Sequence, residues 1–374
     1  MAIRSVEKLD QIKVHFSKAV FRHRLLHWYQ SNGRSLPWRE DWIKYKNPYH
    51  IWLSEIMLQQ TVIKAVIPVY KRFLDKLPTL QDLALADDDT VRELVRGLGY
   101  YRRFSFFKKA AEQLSSEANT TWPATAEEWL TLPGVGPYTA AAVASIAFND
   151  QAAVLDGNVE RVLCRLLNIQ LPPNLPQLKK RFQTIVNELL DEHSPGDFNQ
   201  GIMELGQRVC TPTRPTCETC PVSECCLAFA KNTQIIAPQP KTKTAKINVN
   251  LNLLIVKQGS HTVLFQRPDS AKFLKESWGF ITISLKEDTL IGDGFSLGKD
   301  ILGSAEKLGS FKHNITNHKI SASVWMLDIK SNQLSFGIKT KGKKVKDQLI
   351  EKSLISNLDR KAWKIYSHAY SNIT

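Results

Sequence analysis

The sequence predicts a multidomain protein: an all-α domain over residues 1–233, a linker at 234–246, and an α+β domain over 247–374. Three observations carry this expectation. Through the first 230 residues, apolar side chains recur at three- and four-residue spacing. Beyond residue 247 they alternate in short runs. Between the two lies Gln234 to Ala245, with two prolines, two lysines and little to bury. Helices and strands repeat at different periods, so a change of period marks a change of fold class. A Pro-marked stretch with few apolar residues reads as a linker.

The elements follow in order. Ser17 to Tyr29 reads as a helix, and Ile51 to Phe73 as one long helix. Ala124 to Leu130, Ala140 to Phe148 and Val159 to Leu167 repeat the helical pattern. Val249 to Val256, His261 to Phe265 and Ile320 to Asp328 read as strands. No internal repeat of domain-building length is visible.

The chain has 374 residues, 43% hydrophobic, which is enough for a core in each domain and argues against a disordered basic tail. The longest apolar run, Thr139 to Phe148, is ten residues, about half of a membrane span. The N-terminus stays polar through Lys13, with no apolar core of a signal peptide behind it. The expectation is therefore a soluble, cytoplasmic protein with no membrane partner. The formal charge is +14. It is unevenly spread: residues 1–240 carry 28 basic and 25 acidic side chains, residues 241–374 carry 22 and 11. A surplus of this kind suits a polyanionic partner, although it also serves solubility.

Five of six cysteines, Cys210, Cys217, Cys220, Cys225 and Cys226, lie within 17 residues; the sixth is Cys164. Without a secretory signal a disulfide cage is a poor reading. Four thiolates so close together can close around one metal centre, and both zinc and a [4Fe–4S] cluster accept four Cys ligands. Upstream, Leu132-Pro133-Gly134-Val135-Gly136-Pro137-Tyr138 joins two helical patterns. Its glycines allow a tight turn whose N–H groups approach a phosphate, with the next helix adding its N-terminal dipole. Eighteen residues after Tyr138 comes Asp156, in Leu155-Asp156-Gly157-Asn158-Val159. Alone, Asp156 reads as a helix cap and the glycines as a tight corner.

The hairpin, the aspartate and the spacing Cys210-x6-Cys217-x2-Cys220-x5-Cys226 together resemble the endonuclease III superfamily of DNA glycosylases, in its order and spacing. The resemblance implies a helix-hairpin-helix that grips a DNA backbone through Gly134 and Gly136. It implies a catalytic Asp156, and a [4Fe–4S] cluster on Cys210, Cys217, Cys220 and Cys226 with Cys225 spare. Three further segments are Leu36-Pro37-Trp38-Arg39, Ser54-Glu55-Ile56-Met57-Leu58-Gln59-Gln60-Thr61 and Gly97-Leu98-Gly99-Tyr100-Tyr101. With them, residues 15–230 closely resemble the MutY-type adenine DNA glycosylases.

That resemblance implies the rest of the site. Tyr138 stands where strand-cleaving relatives have a lysine, so a monofunctional enzyme is expected. Glu55, flanked by Ile51, Trp52, Ile56 and Leu58, is the expected general acid, its pKa raised by an apolar helix face. Asp156 would stabilise the oxocarbenium-like sugar electrostatically or by transient covalent bonding, with Tyr138 and Asn158 orienting the acids and water. Arg34 and Trp38 would line the pocket of a flipped adenine, and Gln200 would meet the base edge. Gln60 and Tyr100 would fill the gap in the stack, with Leu98 beside them. The expected partner is double-stranded DNA containing mispaired adenine, bound by a monomer associated with a bacterial nucleoid. No nucleotide cofactor is expected.

Residues 247–374 resemble the C-terminal, Nudix-like domain of the same family, with Lys275-Glu276-Ser277-Trp278-Gly279-Phe280 as local marker. No Nudix signature with paired glutamates follows, so no pyrophosphatase activity is expected. Ile315, Thr316 and Asn317 stand where the family's 8-oxoguanine-reading loop has Phe-Ser-His, and His318 offers an imidazole if the loop shifts by one residue. Lys339, Lys341, Lys343, Lys344 and Lys346 form a basic run, read equally as a solvated loop or a phosphate contact. Two readings compete with adenine excision: a glycosylase/lyase acting on oxidised pyrimidines, and a noncatalytic iron–sulfur DNA-binding protein.

Overall fold

The computed structural model describes residues 9, 11–116, 121–240, 245–286, 289–292, 295–297, 305–329 and 341–370. Lys339, residues 241–244 and the opening Met1–Ser5 lie outside them. The chain divides into two units, Met1–Thr242 and Lys243–Thr374. The division falls inside the stretch expected as a linker. Residues ahead of it are packed: Ala237 is buried, and its carbonyl accepts from Arg165 Nε at 2.9 Å.

The first unit is helical: α1 (Lys18–Asn32), α2 (Pro37–Tyr45), α3 (Pro48–Leu58), α4 (Ile63–Lys76), α5 (Leu80–Leu85), α6 (Asp88–Leu94), α7 (Arg102–Ser115), α8 (Ala126–Trp129), α9 (Pro137–Phe148), α10 (Gly157–Leu166), α11 (Pro176–Leu189), α12 (Pro195–Arg208) and α13 (Leu227–Ala230). Start signals are local. Ser17, Asn47, Thr79, Asp87, Thr125 and Asp156 each accept a backbone N–H of the helix they open. The single helix expected over Ile51–Phe73 is two. α3 ends at Leu58, Gln60 turns left-handed at φ 56°, and α4 starts again at Ile63. The apolar pattern runs unbroken through this turn because both halves pack on one core, which hides the break from a periodicity reading.

Two apolar cores form. One gathers α2 to α9 around Trp52, Phe73, Phe107 and Trp129. The other gathers α1 and α10 to α12 around Phe21, Leu163, Phe182 and Phe198. α9 contributes to both, through Ala140 and Val143 on one side and Ala141 and Ala142 on the other. No helix among the described residues is long and apolar enough to cross a membrane.

The second unit is a mixed sheet: β1 (Ile247–Gln258), β2 (His261–Gln266), β3 (Trp278–Gly279), β4 (Ile281–Lys286), β5 (Thr289–Gly292), β6 (Phe295–Leu297), β7 (Glu306–Ile315), β8 (His318–Asp328) and β9 (Gly342–Lys346), then α14 (Asp347–Ser353) and α15 (Asn357–Tyr370). β1 pairs in parallel with β8 over its length, from Ile247↔His318 to Lys257↔Asp328. Its other edge meets β4 and then β2, both antiparallel. Strand alternation divides β1: Leu251, Leu253 and Ile255 pack with Leu354, Leu358 and Trp363 of the helical layer, while Leu254 and Val256 join a second core with Phe265 and Leu327. A buried ion pair, Arg267 Nη2 to Asp359 Oδ1 at 2.8 Å, sits behind Trp278-Gly279-Phe280. Arg267 also donates to the Phe280 carbonyl, and the Phe280 N–H donates to Asp359.

Candidate active site

Between the two helical cores lies a cleft of about 1030 Å³ that brings Glu55, Tyr138, Asp156, Asn158, Arg34, Trp38, Gln60, Gly134, Gly136 and Gln200 together. Four helix termini or surfaces meet there. α3 is buried continuously from Pro48 to Met57, so the carboxyl of Glu55 is carried on a helix with no solvated face. Glu55 is 6% exposed, and its Oε2 has no hydrogen-bond partner. Burial pushes its pKa up to about 7; the Tyr138 hydroxyl tempers the rise, and the charge of Asp156 adds to it. The Tyr138 hydroxyl itself lies 3.0 Å from Met203 Sδ, and burial first, then Glu55 and Asp156, raises its pKa well above the phenol value.

Asp156 caps α10. Its Oδ1 accepts from the N–H groups of Asn158 at 2.9 Å and Val159 at 2.8 Å, and its Oδ2 accepts from Asn158 Nδ2 at 2.7 Å. Three donors and its place at the helix N-terminus fix the orientation of this carboxyl. The Asn158 amide is itself oriented: its Oδ1 accepts from Arg161 Nη2 at 3.0 Å, which leaves Nδ2 to face Asp156. Arg161 in turn donates to the carbonyls of Gly206 at 2.7 Å and Cys210 at 2.8 Å, tying this end of α10 to the cysteine loop. The close approach needs Gly206, because a Cβ there would lie 2.8 Å from Asn158 Cβ. At the hairpin, Gly134 holds φ +75°, and a Cβ would meet Phe106 Cβ at 2.4 Å; both demands select glycine.

The wall opposite carries a cage of arginines around one buried carboxylate. Glu204 Oε1 accepts from Arg34 N and Nε, each at 2.9 Å, and pairs with Arg208 at 3.1 Å; Oε2 pairs with Arg39 Nη1 at 2.8 Å. Burial alone would raise the Glu204 carboxyl, but Arg39 and Arg34 hold it below the ordinary value. Arg39 Nε also donates to Gln200 Oε1 at 2.9 Å, which turns the Gln200 Nε2 away from that bond. Glu204, Met203, Arg161 and Arg103 were not singled out from the sequence. Their only signal there is a charge or thioether inside an apolar pattern, as with Arg161 and Arg165 on α10.

Gln60 lines the cleft at a left-handed φ of 56°, whereas Tyr100, at φ 50° and 53% exposed, is not among the residues that line it. Leu98 is not brought to the cleft: it is buried in the helical core.

The cysteine loop lies between α12 and α13, with two single 3₁₀ turns, Cys217–Thr219 and Ser223–Cys225. None of the six cysteines is in a disulfide. Arg165 Nη1 donates to Cys210 Sγ at 3.3 Å, and Cys226 Sγ lies 3.4 Å from the Arg165 carbonyl. Burial raises the thiols of Cys217, Cys220 and Cys226, the last two to about 12 and about 11, and each also feels the charge of Cys210. Cys225 belongs to another neighbourhood: besides burial it feels Arg24 and Glu224. Among the described residues, no three His, Cys, Asp or Glu side chains converge as the ligands of a single ion.

In the second unit, Ile315 pairs with His318 across the β7–β8 hairpin, and Thr316 (φ 50°) and Asn317 form its tip. His318 is a strand residue whose ring packs edge-on against Phe273, centroids 5.1 Å apart, and does not stand at the tip. Lys343, on β9, lies over the Trp278 ring at 4.4 Å.

Comparison with known proteins agrees with this architecture. The model of the HhH-GPD superfamily of base excision DNA repair proteins matches residues 53–188. The adenine DNA glycosylase of Mus musculus is 45% identical over 216 residues, 56% of this chain and 42% of that protein. The chain thus spans under half the length of this mammalian relative. The adenine DNA glycosylase of Buchnera aphidicola subsp. Baizongia pistaciae is 30% identical over 323 residues, 86% of this chain and 90% of that protein. Among solved structures, a thermostable thymine-DNA glycosylase superposes with a TM-score of 0.51 at 28% identity, covering 57% of this chain and 97% of its own. With a relative matched over nine-tenths of its length and a helical core of the same superfamily, the chain belongs to the adenine DNA glycosylase family of HhH-GPD base excision repair proteins.

Proposed function

We propose that this protein excises adenine mispaired with 8-oxoguanine or guanine in double-stranded DNA, by hydrolysis, leaving an abasic site. The observation that carries this is the buried Glu55 carboxyl, pushed up to about 7, in one cleft with the helix-capped Asp156. A carboxylic acid that keeps its proton near neutral pH, beside a second carboxyl fixed by three hydrogen-bond donors, supplies the two groups that base excision needs.

An adenine flipped into the cleft meets Glu55, which donates its proton to a ring nitrogen. The bond from the sugar C1′ to the base then breaks, and its electron pair leaves with adenine. Asp156, fixed by Asn158 and the α10 N-terminus, faces the positive charge that develops on the sugar. Water adds to C1′ and returns a proton to Glu55, so atoms and charge balance over the cycle. Tyr138 carries no amine for a Schiff base, so the strand stays intact. The arginine cage and Gln200 frame the base, and the hairpin glycines hold the phosphates.

Cys210, Cys217, Cys220 and Cys226 suit a [4Fe–4S] cluster. Burial raises the thiols of Cys217, Cys220 and Cys226 and all three feel Cys210, so the four sulfurs form one neighbourhood of donors that could hold such a cluster. Bound there, it supplies a rigid cross-link of the loop beneath Arg161. The second unit, a Nudix-like domain in this reading, inspects the opposite base with Thr316 and Asn317 at its hairpin tip. The protein acts as a monomer, in the cytoplasm of a bacterial cell.

The test is single-turnover cleavage of a duplex carrying adenine opposite 8-oxoguanine, with adenine opposite guanine and an oxidised pyrimidine as controls, each with and without alkali. Adenine excision revealed only after alkali is expected. Strand nicking without alkali, or excision of the pyrimidine instead, overturns the reading.

A further inference from the structure

Arg103 is a buried cation that pairs with no carboxylate among the described residues. It is 8% exposed, and burial lowers its pKa to about 10, so it remains charged at neutral pH. It stands in the first turn of α7, where the helix dipole disfavours a positive charge. What holds it is three backbone carbonyls and one threonine hydroxyl. Its Nη1 donates to the Gln59 carbonyl, and its Nη2 reaches Thr61 Oγ1 at 3.0 Å and the carbonyls of Leu98 at 3.4 Å and Gly99 at 3.5 Å. Thr61 Oγ1 closes the same circle, on Gln59 O at 3.2 Å and Leu98 O at 3.4 Å.

These acceptors belong to two turns distant in sequence, and each turn carries a residue in a costly backbone conformation. Gln60 and Tyr100 both have positive φ although neither is glycine, and Gly97 and Gly99 turn left-handed on the way to Tyr100. Such residues persist only where their surroundings over-determine them. One guanidinium fork gathers carbonyls from both turns.

We infer that Arg103 is a positioning residue that sets Gln60 and Tyr100 at a fixed separation, so that both tips enter the same step of a duplex as the base leaves it. This rests on the reading of the protein as a base-extruding glycosylase. Arg103 touches no reacting atom; it acts through the two turns. Losing it therefore raises the cost of extrusion and leaves the acid chemistry of Glu55 in place.

The experiment compares the full-length chain with its Arg103→Met variant in single-turnover excision of adenine from two substrates. In one, adenine is paired opposite 8-oxoguanine. In the other, the opposite nucleotide is omitted, so the adenine is already unpaired. Loss of charge-assisted hydrogen bonds to backbone predicts a drop of about tenfold to a hundredfold on the paired duplex. On the unpaired adenine the variant is expected to stay within about threefold of wild type. Equal losses on both substrates, or wild-type rates on both, overturn the inference while leaving the glycosylase reading intact. A wild-type chain that excises neither adenine overturns that reading first. Should Arg103→Met not fold, Arg103→Lys, which keeps the charge and loses the fork, carries the same comparison, with a smaller drop confined to the paired substrate.

Discussion

Replacing Glu55 by Gln separates stability from chemistry. In the folded chain the Glu55 carboxyl titrates at about 7 against an ordinary value of 4.5, because it is buried on α3. At about 1.4 kcal/mol per pK unit, a rise of this size corresponds to about 3 kcal/mol. The sign follows from linkage. The folded state binds this proton more tightly than the unfolded state, so its contribution is fully present below pH 4.5 and is lost as pH rises through 7. Above that, the folded protein carries a buried charge. Glu55→Gln removes the ionisation, so its stability relative to wild type should climb by up to about 3 kcal/mol between pH 4.5 and pH 8. Urea unfolding of the helical unit, followed by fluorescence of the buried Trp52 and Trp129, measures this at several pH values. The same variant should lose nearly all excision. Wild-type single-turnover rates should fall about tenfold per pH unit above pH 7, as the protonated fraction falls. A variant whose advantage does not grow with pH, together with a wild-type rate flat from pH 6 to 9, would refute the acid role assigned to Glu55.

Other outcomes follow from the same geometry. Asp156→Asn keeps most of the cap on α10 but loses the charge, so excision should drop by several orders of magnitude with duplex affinity retained; near-normal rates in a filter-binding and cleavage pair would count against it. Cys217→Ser should abolish absorption near 400 nm and lower the melting temperature of the helical unit, whereas a colourless, zinc-loaded wild type would remove the cluster from the proposal. Thr316→Ala with Asn317→Ala should erode the preference for adenine opposite 8-oxoguanine over adenine opposite guanine, read as a ratio of single-turnover rates, and an unchanged ratio would argue that the hairpin tip does not read the lesion.

What the sequence shows locally is the cap and the burial; the roles of these residues come from the family resemblance. Asp156 caps the helix that starts one residue later, and a cap is recognisable from its own few neighbours. Glu55 is surrounded by Ile51, Trp52, Ile56 and Leu58, and those apolar neighbours already indicate burial. The change from helical to alternating period locates the two architectures, and β1, β2 and β8 fall where alternation places them. By contrast, the turn at Gln60 is invisible because both flanking helices keep one apolar face toward a common core. The His318 imidazole is another case. Its residue type suggested a reader of the opposite base, but pairing with Ile315 fixes it in β8 and turns its ring onto Phe273.

Helix and strand periods, caps, the spacing of four cysteines and the residue types of the acid pair are thus properties of the chain, because each depends on side chains a few positions apart. That Glu55 and Asp156 face one cleft, that a single buried glutamate gathers Arg34, Arg39 and Arg208, and that Arg103 joins two distant turns are decided by packing. So is the shift in Glu55. A carboxyl's desolvation and the charges that face it come from helices far apart in sequence, and only when α3, α9, α10 and α12 close on one another do they acquire a common neighbourhood and a chemistry.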